Sequence, residues 1–319
     1  LWQDNFTSFD SNKWVKAENC DYEGKSTFFT SDNVDNYVGH LRIRLYEEDA
    51  ECSGNPPTSY VCGGCETPYH DYTSGWVESK EAYNMEFGYI EARIFFPYGN
   101  GLWPAFWLWS GNRKEEIDIV ELFPGKLEEG DNIYYGQRHD QYINTSHLHY
   151  EVTSGSGWSD VDQDYIYPID NYNGYHTYSM EWSPNKIIIY VDGVVVNNIQ
   201  NPQIYNPKPI IFSMGINSNP PPEIIPPLNG IPATMLVNWV KVYTLDSDCS
   251  NAIWTCNYDF SNHDYKVKRV ISIGGSGCSN SLTSGQNITL RAKEYVIING
   301  DFTVPVGAEL YIDCNNPCY

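Results

Sequence analysis

Glu116, Asp118 and Glu121 place three carboxylates within six positions of the run Glu115-Glu116-Ile117-Asp118-Ile119-Val120-Glu121. Ile and Val separate them, so the run reads as a β-strand. Alternate side chains of a strand face opposite ways. Glu116 and Asp118 therefore share one face, with Ile117 and Ile119 on the other. Glu121 has the wrong parity to join them. A bulge at Ile119-Val120 would add one unpaired residue and swing Glu121 onto the acidic face. Three carboxylates on one face repel each other, and a structural protein has little reason to build that. A site that needs one carboxylate ionised and a neighbour protonated does. The plain alternative is a half-exposed strand with an acidic outer face.

The preceding run, Gly101-Leu102-Trp103-Pro104-Ala105-Phe106-Trp107-Leu108-Trp109, reads as a second, aromatic strand. Flat ring faces stack on sugars while carboxylates work on a glycosidic bond, so acids beside aromatics point to carbohydrate chemistry. Trp103 and Trp107 share a face by parity and are the candidate stacking residues. Core packing is the alternative, and parity alone does not say which face meets the acids.

Glu116-Ile117-Asp118-Ile119-Val120-Glu121, with Trp103-Pro104-Ala105-Phe106-Trp107 before it, closely resembles glycoside hydrolase family 16. The extra residue before Glu121 is similar to the β-bulge branch of that family, which includes β-1,3-glucanases, agarases, porphyranases and carrageenases. The resemblance runs from about Leu1 to Tyr243. It implies an all-β jelly-roll sandwich and a retaining endo-glycosidase. Glu116 would be the nucleophile, Glu121 the acid/base and Asp118 the residue assisting between them. By the same resemblance Glu91 and Arg93, which share a strand face, lie near the acids, where a cation would keep the nucleophile ionised. The alternative for that pair is a cross-strand ion pair without a catalytic part. Thr145-Ser146-His147-Leu148-His149-Tyr150 resembles a family strand whose His sits beside the acids, which favours His149; His139 competes for that place. Pro209–Met214 resembles the strand that often carries a cleft Asn, and Ser213 stands there. Many members hold a structural calcium with an Asp where this chain has Asn238 and a backbone carbonyl near Gly39. An Asn oxygen brings no charge, so calcium would bind less strongly; a structural calcium is left open and unassigned. No cofactor is required.

The net charge is −22, with 41 acids against 19 Lys and Arg. Nucleic acid is disfavoured as a partner, since phosphate binding needs a basic footprint. Long-range repulsion also weighs against a polysulfated substrate. No apolar run is long enough to span a membrane. The absence of an initiator Met or signal peptide suits a processed mature form. Nine cysteines fit an oxidising compartment, so the chain is expected to be secreted or held at the cell surface, as a monomer. Cys20, Cys52, Cys62 and Cys65 fall early; Cys249, Cys256, Cys278, Cys314 and Cys318 fall late. Up to two disulfides are expected in each part, with one Cys left over. Cys62-Gly-Gly-Cys65 has metal-knuckle spacing but no second close pair beside it, so no metal is assigned.

Helical periodicity is almost absent, and short β-rich runs alternate with Gly, Pro, Asn and Asp clusters, as in a sandwich. Residues 47–71 read as a disulfide-stapled insertion, and 219–232 as a Pro-rich loop replacing the family's Gly/Trp loop. Residues 1–245 are expected to form the catalytic domain. Residues 246–319 are expected to form a small Cys-bearing β module, with a hairpin at Asn299-Gly300. The first functional expectation is hydrolysis of a β-1,3-glucan. The altered loops leave room for an algal galactan such as agarose, porphyran or carrageenan. A glycan-binding protein that has lost catalysis is the third reading, opposed by the three intact acids.

Overall fold

The computed structural model describes residues 2–21, 27–52, 62, 64, 67–97, 101–111, 115–122, 144–145, 148–151, 158–161, 174–200, 202, 204–216, 232–243, 250–263 and 266–314. Two compact units are present. One comprises Leu1–Trp182 and Lys186–Tyr243, the other Thr244–Tyr319 with Ser183–Asn185.

The first unit is a β-jelly-roll sandwich. Its smaller sheet has eight described strands. They run in the order Trp158–Val161, Leu148–Glu151, Glu115–Leu122, Leu102–Trp109, Ile210–Ile216, Trp76–Ser79 and Trp14–Lys16, with Asn144–Thr145 beside the acidic strand. The larger sheet has ten. Gly88–Phe95, Ala233–Tyr243 and Leu41–Glu51 lie side by side at its centre, and Thr27–Phe29 ends it.

Alternation explains how the two sheets meet. From the larger sheet Ile90, Ala92, Ile94, Tyr178, Met180, Trp182, Leu41, Ile43 and Leu45 turn inward. From the smaller sheet Leu102, Phe106, Leu108, Ile117, Phe212 and Met214 meet them. Phe106 stacks on Phe212 at 4.9 Å and 13°, which fixes the aromatic strand on its neighbour. Because Phe106 and Leu108 point in, Trp103, Ala105, Trp107 and Trp109 point out. The chain passes from the larger sheet to the smaller at Gly75. A Cβ there would stand 2.5 Å from Val34 Cγ2, so only glycine fits the crossing.

In the second unit the strands Asn251–Trp254, Lys268–Ser281, Asn287–Thr303 and Glu309–Cys314 all pair in parallel. Ile271, Ile273, Leu282, Ile288 and Leu290 form its core. The hairpin expected at Asn299-Gly300 is absent, because that step lies within the continuous strand Asn287–Thr303. Gly300 is needed for a different reason. Its φ is +90°, and a Cβ would stand 2.5 Å from the carbonyl oxygen of Cys278 on the adjoining strand. The Asn-Gly pair therefore marks a kink with close backbone approach instead of a reversal.

Cys20–Cys62 and Cys256–Cys278 are disulfides, and Cys52 is disulfide-bonded too. Cys314 is free. Cys62 is thus a bridge residue and not a metal ligand. Most of the 47–71 insertion and the 219–232 loop lie outside the described residues.

Candidate active site

The acidic strand Glu115–Leu122 pairs with the aromatic strand in a register that slips by one residue. Asp118 stands opposite Trp107, but Val120 is opposite Phe106, leaving Ile119 as the extra residue. Ile119 and Val120 both enter the core, where two apolar neighbours can point the same way only across a bulge. Glu121 then comes round opposite Ala105, on the outer face with Glu116 and Asp118. All three carboxylates line one cleft of about 450 Å³, open to solvent.

Trp103 and Trp107 line the same cleft. The indole N–H of Trp103 donates to Glu121 Oε1 at 2.7 Å. That of Trp107 donates to Ser213 Oγ at 3.0 Å, and Ser213 also faces the cleft. Trp107 lies nearly parallel to Trp109 at 6.0 Å and meets Trp76 edge-on at 5.1 Å. Trp76, Trp107, Phe29 and the Cys20–Cys62 bridge share an apolar cluster on this outer face. The Cys20–Cys62 bridge is thus part of the same apolar cluster as three aromatic residues that line the cleft.

Asp118 is 2% exposed. Burial pushes its carboxyl well above the usual carboxylate range, and Glu121 and Glu116 push it the same way. Losing water penalises the charged form, and adjoining negative charge adds to that penalty. Asp118 therefore tends to hold a proton where it lies between Glu116 and Glu121.

Glu115 was not among the expected site residues, and it faces the interior. Its carboxylate accepts from Lys208 Nζ at 2.6 Å, from Asn206 Nδ2 at 2.6 Å and from the Asn206 and Tyr205 backbone N–H groups. Lys208 is fully buried, with its ammonium 4.8 Å from the Trp182 ring centroid. Parity carries the signal in the sequence: Glu115 shares the inward face of Ile117, so it must bring a cation or lose its charge. Thr27, Phe29, Trp76 and Gly215 also line the cleft. Thr27 and Phe29 reach it from the end of the other sheet, a non-local approach with no mark in the local pattern.

Glu91 and Arg93 are not at the cleft, which corrects the expectation for both. Their strand sends Ile90, Ala92 and Ile94 into the core, so the two charges point out from the far side of the sandwich. Glu91 accepts from Lys241 at 3.3 Å and from the Tyr243 hydroxyl at 3.4 Å. Arg93 lies over the Tyr175 ring at 4.5 Å. His149 is opposite Glu116 in the strand ladder. His139 lies outside the described residues.

The Asn238 position does not fit a calcium ion. Its side-chain oxygen, the one atom it would offer a metal, accepts from the Arg93 guanidinium at 3.1 Å, and its amide nitrogen is 3.2 Å from His40 Nε2. A fixed cation already fills that role and would repel a second. Among the described residues no cluster of His, Cys, Asp or Glu is arranged for a metal. Chelation with EDTA should leave the thermal midpoint unchanged, and added calcium should not raise it, as read by differential scanning calorimetry.

The profile of Glycosyl hydrolases family 16 matches residues 21–218. Glucan endo-1,3-beta-glucosidase A1 of Niallia circulans is 26% identical over 76% of this chain and 37% of its own length. An endo-1,3-1,4-beta-glycanase of Rhizobium meliloti is 28% identical over 57% of this chain and 36% of its own length. The chain thus spans little more than a third of either relative. Among solved structures, the catalytic domain of an endo-1,3-beta-glucanase (laminarinase) from Thermotoga petrophila superposes with a TM-score of 0.57 at 22% identity, covering 76% of this chain and 96% of that one. Two sheets of this topology, a bulged acidic strand and a profile match across most of the sandwich make one conclusion: the chain belongs to glycosyl hydrolases family 16.

Proposed function

We propose that the protein is a retaining endo-glycosidase that cleaves a β-1,3-glucan by double displacement. One observation carries this reading: the bulge at Ile119 gathers Glu116, Asp118 and Glu121 around one aromatic-lined cleft. Glu116 attacks the anomeric carbon and forms a glycosyl-enzyme. Glu121 protonates the leaving oxygen and then takes a proton from the attacking water. Asp118, holding its own proton, donates a hydrogen bond toward the Glu116 carboxylate and adds no further negative charge beside Glu121. Trp107 and Trp103 bound the cleft where sugar rings lie. The glucan reading is supported by the aromatic lining, by the overall charge of −22, which disfavours sulfated chains, and by the activities named for the relatives.

In this reading residues 1–245 are the catalytic domain and 246–319 an appended β module. The disulfides in both parts support a secreted enzyme. No described helix is long and apolar enough to cross a membrane. The test is release of reducing ends from laminarin, lichenan, agarose, porphyran and carrageenan. Laminarin should be cleaved fastest, with the anomeric configuration of the first product retained by NMR. Cleavage of a galactan instead would replace the substrate, and binding without release would replace the activity.

A further inference from the structure

We propose that Trp103 is a positioning residue for the general acid, holding Glu121 through its indole N–H, and not only a surface for sugar stacking. The inference rests on the reading of Glu121 as acid/base. Trp103 Nε1 lies 2.7 Å from Glu121 Oε1, at the short end for an N–H donor on a carboxylate. An indole nitrogen can only donate. Oε1 is therefore an acceptor, and because the carbonyl oxygen of a protonated carboxyl accepts better than its hydroxyl oxygen, this contact favours the proton that Glu121 transfers on Oε2.

Two features of the strands make the contact. Glu121 follows the extra residue of a bulge, where the ladder constrains direction less than in a regular strand. Its partner in the ladder is Ala105, whose methyl group leaves space for Glu121 to lean to the diagonal neighbour Trp103. Trp107, on the same face, gives its N–H to Ser213 instead. The two tryptophans of one face thus have different polar partners.

The chemistry follows from the geometry. In the first step the Oε2 proton passes to the glycosidic oxygen as the C–O bond breaks, and the bonding pair leaves with that oxygen. Glu116 forms the new bond to the anomeric carbon. Glu121 becomes a carboxylate, and the Trp103 N–H bond strengthens as that charge develops. A donor that gains strength during the reaction lowers the barrier more than it tightens binding.

The test separates this from ring stacking. Trp103 is replaced by 3-benzothienylalanine, which keeps the bicyclic shape and lacks the N–H, and separately by Phe. Each is assayed on an oligosaccharide and on a 2,4-dinitrophenyl glycoside of the sugar identified by the polysaccharide panel. The dinitrophenolate leaves without a proton. The expected result is a loss of about tenfold or more in kcat/KM on the oligosaccharide, with KM little changed, and less than about threefold on the aryl glycoside. A thermal melt checks folding, and the benzothienyl variant keeps the shape that Phe gives up. Equal losses on both substrates, or no loss on either, overturn the proposal. Glu121→Ala is assayed alongside. If it separates the two substrates and the Trp103 variants do not, only the role of Trp103 falls. If Glu121→Ala fails to separate them, the acid/base assignment falls and takes this inference with it.

Discussion

Glu116→Gln is expected to lower kcat by roughly 10⁴-fold or more, the scale of losing a covalent nucleophile, while oligosaccharide affinity stays within about threefold. The amide has the same shape, so the cleft wall keeps its form. It lacks the anionic oxygen that must bond to the anomeric carbon. The substitution also removes one of the two charges that push the Asp118 carboxyl up; burial and Glu121 remain. Asp118→Asn gives the contrast. A protonated carboxyl and an amide are close in shape and both donate, so this variant should lose far less activity than Glu116→Gln. Steady-state hydrolysis and titration calorimetry with an inactive-variant complex read both effects. Glu116→Gln at full activity would remove Glu116 from the mechanism, and Asp118→Asn falling as far would show that Asp118 works ionised.

The acids and the aromatic strand were legible because the information is local. Parity places Glu116 with Asp118, and the same rule shows that Glu121 needs one extra residue, which the register supplies at Ile119. Parity also places Trp103 and Trp107 together, although only the inward packing of Phe106 and Leu108 shows that their face is the cleft. Glu91 and Arg93 show where this reasoning stops. Their parity was read correctly, yet which of two stacked sheets a strand joins depends on pairing with residues far along the chain, such as Arg93 opposite Trp239. Thr27 and Phe29 were missed for the same reason. In the second unit Asn-Gly was read through its commonest local use, and parallel neighbours imposed another. At Asn238 the sequence left a structural calcium open: the side chain has a carbonyl oxygen for a cation, and Arg93 supplies a cation covalently attached to the chain.

Breaking the buried Glu115–Lys208 pair should cause the largest loss of stability. Lys208→Met leaves Glu115 inside the sandwich without its cation, which costs about 3–5 kcal/mol. In a unit of this size that lowers the thermal midpoint by roughly 10 °C. Burial pushes the Glu115 carboxyl up, but the bonds from Lys208 and Asn206 outweigh it and hold the group below its ordinary value of 4.5. A carboxyl with a depressed folded pKa stabilises the fold above its unfolded pKa, and that contribution is lost as pH falls through the folded pKa. The wild type should therefore lose this part of its stability only below about pH 4.5, and Glu115→Gln should flatten that part of the profile in urea melts. Glu115→Gln with Lys208→Met should recover part of the single-variant loss, since no unpaired charge is left inside and the Asn206 and Tyr205 N–H groups keep an acceptor. Lys208 lies just before the strand Ile210–Ile216, which carries Ser213 and Gly215 to the cleft, and Glu115 begins the acidic strand. The pair thus ties the start of the acidic strand to the segment leading into a strand that lines the cleft. A Lys208→Met protein with wild-type stability would mean that the surrounding hydrogen bonds alone neutralise Glu115.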